Sequence, residues 1–151
     1  MRRFSLCIAA LAAALLQLQV LAADGSMPRL ILRGYDAVAY FTDGKPVKGE
    51  ERYSYDWDEG RYYFASAEHR DRFAADPARY APQFGGYCTG SMSRGVKNEG
   101  HPEAWVVVDG KLHVFGAPDS ETARKYKEAA ERDLDAFRAK AGLARANWAA
   151  R

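Results

Sequence analysis

Hydrophobic and polar positions alternate in two places along the chain, and each alternation predicts an antiparallel hairpin. Over residues 51–57 charged or polar side chains alternate with Tyr53, Tyr55 and Trp57, the period of a strand with one buried face. A turn at Asp58-Glu59-Gly60 leads into the apolar run RYYFA, so residues 51–65 predict the first hairpin. Residues 104–115 read AWVVVDGKLHVF, two β-branched or aromatic runs joined by Asp109-Gly110, the dipeptide that type I′ turns favour.

The period lengthens between and after the hairpins. Ser66 is placed to cap a helix whose inward face carries Ala67, the stem of Arg70, Phe73 and Ala74; Pro77 ends it or opens another turn, and Tyr80 packs back beside Phe73. From Asp119 or Ser120 onward, Ala123, Tyr126, Ala130, Leu134, Phe137 and Ala141 fall on one helical stripe. Gly142 is expected to end that helix, leaving a tail that Trp148 pins to the body. DAVAYF (36–41) reads as a short buried strand or extended turn, and TDGKP after it as turn chemistry. No internal repeat, low-complexity stretch or linker is evident after residue 23. The pattern predicts an α+β fold: one small domain over residues 24–151 with short antiparallel hairpins, a strand-to-helix core and a C-terminal helix.

Residues 1–23 pair Arg2 and Arg3 with an alanine- and leucine-rich run and then small residues before Asp24, the layout of a cleaved secretory signal peptide. The expected location is therefore periplasmic or secreted, with no membrane contact after cleavage. Without this segment the chain carries 20 basic and 20 acidic residues. A neutral balance with no basic block argues against nucleic acid, whose phosphates require clustered Lys and Arg.

Cys7 leaves with the signal segment, so Cys88 is the one cysteine of the mature chain. It lies in FGGYCTGSMSRG (84–95), where glycines let backbone amides approach the sulfur and favour thiolate over thiol. Gly85 and Gly86 serve equally well in a tight turn. With no second cysteine, a dithiol cycle within one chain is excluded, and any disulfide involves another molecule. His69, His101 and His113 are the only imidazoles. His101 reads as loop surface and His113 as a half-exposed strand residue. Met92, four residues after Cys88, adds a thioether; thiolate, imidazole and thioether together suit Cu(I). Nothing has the spacing of a hydrolase triad, so the chain reads as non-hydrolytic, and whether it is an enzyme stays open with a leaning against it.

The stretches GYDAVAYF (34–41), YYFASAEHRDRFAADPARYAP (62–82), GGYC (85–88) and PEAWVVVDGKLHVF (102–115) together resemble the exported branch of the YHS-domain family, over about residues 34–115. In metal-binding relatives three cysteines form a soft-metal site; the matching positions here hold Ala39, Ala65 and His69, so that site cannot be carried over. The resemblance places the chemistry of this branch at Cys88, where some members carry selenocysteine. Three functions stay open. The first is handling of copper or another soft metal ion through Cys88 with His69 and Met92. The second is a single-cysteine redox cycle completed by an external thiol. The third is an interaction or structural module that kept the fold and lost the site. The oligomeric state is left open.

Overall fold

A computed structural model describes residues 27–151; the export segment expected at residues 1–23 lies outside the described residues. Among the described residues no helix is long and apolar enough to cross a membrane. The fold is α+β, with a three-stranded and a two-stranded sheet of short strands and a C-terminal pair of helices.

In the first sheet β1 (Arg29–Leu30) runs parallel to β3 (Gly60–Phe64), which pairs antiparallel with β2 (Glu50–Trp57). Between β1 and β2 the DAVAYF stretch forms the short helix α1 (Ala39–Thr42) rather than a strand. Ser66 caps α2 (Ala67–Ala75) by accepting from the His69 amide at 3.1 Å, and Pro77 opens a further turn, α3 (Pro77–Tyr80). Phe73 is the buried anchor of α2, and Tyr80 packs against the cluster that holds Phe73, its ring 5.5 Å from that of Phe41. The aromatic side chains of β2 and β3 surround Phe73: Tyr62 lies at 4.5 Å, Phe64 at 5.0 Å and Tyr55 at 6.0 Å.

After Pro82 the same construction begins again. Leu32, Arg33 and Gly34 take left-handed φ of 51°, 52° and 80° before an extended Tyr35; Phe84, Gly85 and Gly86 take 57°, 60° and 80° before an extended Tyr87. Three consecutive left-handed residues are rare, and each non-glycine among them costs about 1 kcal/mol or more. The short helix α4 (Thr89–Met92) follows Tyr87-Cys88 as α1 follows Tyr35-Asp36. The hairpin of β4 (His101–Val108) and β5 (Lys111–Phe115) repeats the register of β2 and β3 pair for pair. Ser54 faces Tyr63 as Trp105 faces Val114, Tyr55 faces Tyr62 as Val106 faces His113, and the irregularity after Glu50 recurs after His101.

The joints repeat as well. Tyr35 bridges Lys48 and the Gly49 amide bonds the Gly34 carbonyl; Tyr87 bridges Glu99 and the Gly100 amide bonds the Gly86 carbonyl. A Cβ on Gly49 would lie 2.5 Å from the Tyr63 carbonyl carbon, and one on Gly100 2.7 Å from the Gly86 oxygen. Both closures therefore need a bare backbone. The molecule is thus an internal tandem, contrary to the sequence reading, because almost none of the repeated geometry demands the same side chains.

The halves differ at their helices. Asp119 caps α5 (Ser120–Arg132) through the Thr122 amide, and Asp133 breaks the expected single helix by capping α6 (Leu134–Ala149) through the Ala136 amide. Gly142 stays inside α6, which runs on to Ala149 and brings the Trp148 ring within 6.1 Å of Phe84. One hydrophobic cluster joins both halves: Ile31, Val38, Tyr40, Phe64 and Phe73 pack with Trp105, Leu112 and Val114. A second cluster packs Cys88, Val106 and Phe115 against Ala123, Ala130, Phe137 and Ala141 of the last two helices.

Candidate functional site

Asp36 and Cys88 occupy the same place in the two halves, at the start of the short helix, and each is held by backbone amides. The Asp36 carboxylate is fully buried. Its Oδ1 accepts from the Val38 and Ala39 amides at 2.8 and 3.3 Å; its Oδ2 accepts from the Ala65 amide at 2.8 Å and meets His69 Nδ1 at 2.7 Å. A buried carboxylate left unpaired would cost several kcal/mol, and these four partners saturate it. His69, 17% exposed, is thereby committed as the partner that closes the carboxylate.

Cys88 has the corresponding neighbours. Its Sγ accepts from the Ser91 amide at 3.4 Å, and Gly90 and Gly116 lie close against the same sulfur. Gly90 and Ser91 follow Cys88 as Val38 and Ala39 follow Asp36. Gly116 follows the last residue of β5 as Ala65 follows the last residue of β3. Burial pushes the thiol up, but the polar groups of Gly116, Ser91 and Gly90 around it more than offset that, so the thiol titrates below its ordinary value. The thiolate, not the thiol, is the nucleophile and the metal ligand.

What closes the site differs between the halves. In the first, two residues, Ala65 and Ser66, separate β3 from α2, and the helix brings His69 onto the carboxylate. In the second, Gly116, Ala117, Pro118 and Asp119 separate β5 from α5, and a cleft of about 600 Å³ runs along this longer connection. Cys88 and Gly116 lie at its floor, Phe115, Ala130 and Phe137 form apolar walls, and the exposed Arg94, Tyr126 and Lys140 stand at its rim. Cys88 is only 7% exposed, so its sulfur is recessed.

The three residues expected to act together are held apart in their bonding. Cys88 faces the cleft, His69 is tied to Asp36, and Met92 is fully buried against Phe84 and Ala144. Among the described residues no three His, Cys, Asp or Glu side chains group as a metal-holding cluster. His113 is 3% exposed rather than half-exposed: its ring lies 5.0 Å from Phe137, Nδ1 meets Thr89 Oγ1 at 3.2 Å, and burial lowers its pKa to about 4. His101 opens β4 and accepts from the Glu103 amide at 3.2 Å. Asp36 is the residue that sequence reasoning passed over. The signal was there, in Gly34-Tyr35-Asp36 beside Gly86-Tyr87-Cys88.

A YHS domain is found at residues 38–84, which span α1, the first hairpin, α2 and α3. This match fits a metal-related role, and it stops four residues short of Cys88. No curated protein and no solved structure matches the chain.

Proposed function

We propose that the protein is an exported single-thiol protein whose working group is the Cys88 thiolate, oxidised in the cleft and returned to thiolate by an external thiol. The observation that carries this reading is one recessed sulfur that accepts from the Ser91 amide, with Gly90 and Gly116 close against it and the cleft beside it. Surroundings of this kind favour the anion over the neutral thiol, and thiolate fraction governs attack on an electrophile. That the corresponding amides of the first half hold a carboxylate supports the same conclusion: the nest is built for negative charge.

A second reading is favoured by the YHS match, in which a soft cation of Cu(I) type is cargo rather than a resident cofactor. The donor set available to a resident metal is poor. One thiolate faces the cleft, the thioether of Met92 is packed in the core, and the imidazole of His69 already serves Asp36. On this reading Cys88 supplies one sulfur ligand and the donor or acceptor of the cargo supplies the other.

One experiment separates the two. Iodoacetamide alkylation of Cys88 followed against pH is expected to give an apparent pKa below the ~8.5 of a free cysteine. Addition of one equivalent of Cu(I) leaves the rate unchanged on the thiol reading and protects the sulfur on the cargo reading. A midpoint at or above that of free cysteine would remove the basis of both.

A further inference from the structure

We infer that the cleft above Cys88 is a substrate site for an organic hydroperoxide with an apolar body and a carboxylate head. The inference rests on the thiol reading of Cys88 and names what reaches it. Its starting point is the comparison between the halves. The first half fills the side of its anion nest that faces the helix with the His69 imidazole. In the second half, the cleft bounded by Gly116, Ala117 and Pro118 lies along the connection whose shorter counterpart draws His69 in. Cys88 thus lines a chamber large enough for a small molecule.

Shape and chemistry narrow the class. Cys88, a residue 7% exposed and lining the cleft, is out of reach of a disulfide carried on another folded protein. A slender terminal electrophile reaches it. The walls, Phe115, Phe137, Ala130 and Ala136, present hydrocarbon and accept an apolar body. Arg94 and Lys140 at the rim offer positive charge to a head group that stays in water. The one acid there, Asp133, caps α6 through the Ala136 amide at 2.9 Å and keeps its charge, which the two cations outnumber.

The step balances within these components. The thiolate attacks the terminal oxygen of the hydroperoxide, an S–O bond forms and the O–O bond breaks. Sulfur is oxidised by two electrons to the sulfenic acid; the alkoxide leaves, takes a proton from water and departs as the alcohol. A low-molecular-weight thiol then condenses with the sulfenic acid, releasing water and forming a mixed disulfide. A second equivalent attacks that disulfide, freeing the Cys88 thiolate and the small disulfide. The small size of this reductant follows from the same recessed sulfur.

The test uses mature protein with hydrogen peroxide, cumene hydroperoxide and a long-chain fatty-acid hydroperoxide, trapping sulfenic acid at Cys88 with dimedone and reading it by mass spectrometry. The fatty-acid hydroperoxide is expected to react at least about tenfold faster than hydrogen peroxide, since an apolar body gains free energy with each buried methylene. Ala136→Trp, at an exposed helical position on the cleft, removes that advantage. Lys140→Glu slows the fatty-acid hydroperoxide by about tenfold more than it slows cumene hydroperoxide, which has no charge to steer. Equal rates for all three oxidants, unmoved by either variant, would overturn the cleft as a substrate site and leave the thiol reading standing. Absence of any dimedone adduct with every oxidant would overturn the thiol reading and this inference with it.

Discussion

At the scale of single residues, the comparison that matters is Asp36 with Cys88. Asp36 is held by the amides two and three positions ahead and by the amide just past the hairpin, and Cys88 by the amide three positions ahead, with the glycines at the other two positions close against its sulfur. If the nest selects charge rather than sulfur, Cys88→Asp should fold, and its stability should stay within about 1–2 kcal/mol of the parent, because the carboxylate inherits charge-assisted amide bonds. Asp36→Ala should be far costlier, on the order of 3–5 kcal/mol, since it orphans three buried amides and the His69 partner together. Urea unfolding of both variants checks the pair; a Cys88→Asp loss as large as that of Asp36→Ala would mean that sulfur, not charge, is what the second nest requires. Cys88 was legible in the sequence because it is the one cysteine outside the segment expected to direct export. Asp36 was not, because its partner His69 lies a helix and a hairpin away and no local period links them.

At the scale of elements, both hairpins were legible, since alternation and turn chemistry are local. Their turns nonetheless use different means. Asp109 and Gly110 take φ of 52° and 71°, as the Asp-Gly pair predicts, whereas Asp58 and Glu59 take 48° and 63° without a glycine. Gly60 is instead reserved for close approach, because a Cβ there would meet the Ile31 side chain at 2.5 Å. The break at Asp133 was masked by continuity of pattern: Leu134, Phe137 and Ala141 extend the stripe of Ala123 and Ala130 across the cap. On β5, alternation misplaced His113 because both faces of that strand are covered: Leu112, His113, Val114 and Phe115 are all buried. Burial first, and then the charge of Arg145, hold its pKa down to about 4, with Asp109 opposing. An unfolded chain takes up that proton near pH ~6.5. Between those values the unfolded state binds more protons, so stability is complete above pH ~6.5 and falls as pH drops toward 4. The loss should be on the order of 3 kcal/mol, and His113→Gln should flatten the stability curve across that window. The carboxylates of Asp56, Asp109 and Asp119 titrate below their ordinary value of 3.8, so their contribution falls lower on the pH axis. An unaltered slope in the variant would assign the acid sensitivity elsewhere.

At the scale of the molecule, a tandem of similar halves raises the question of whether each half is a folding unit. The YHS match covers residues 38–84, inside the first half and the turn that follows it. Yet the packing does not divide there. Trp105, Leu112 and Val114 of the second hairpin sit in the same cluster as Ile31, Val38 and Phe64 of the first. Tyr40 donates its hydroxyl to the Pro102 carbonyl at 2.8 Å, and its ring meets Trp105 at 5.1 Å. Burial also drives the Tyr40 phenol far above its ordinary value, with the charges of Tyr35, Asp36 and Glu103 adding to it. A fragment of residues 27–82 would uncover the side of this cluster that the second hairpin covers, and large apolar residues left without their packing partners cost about 2–5 kcal/mol each. Such a loss is comparable to the whole stability of a small domain. We therefore expect residues 27–82 alone to lack a cooperative thermal transition, and expect co-expression with residues 83–151 to restore one. Circular dichroism melts of the separate and combined fragments test this. A cooperative melt of the isolated first half would show that the halves are independent domains that have merely docked, and that the shared cluster is an interface rather than a core.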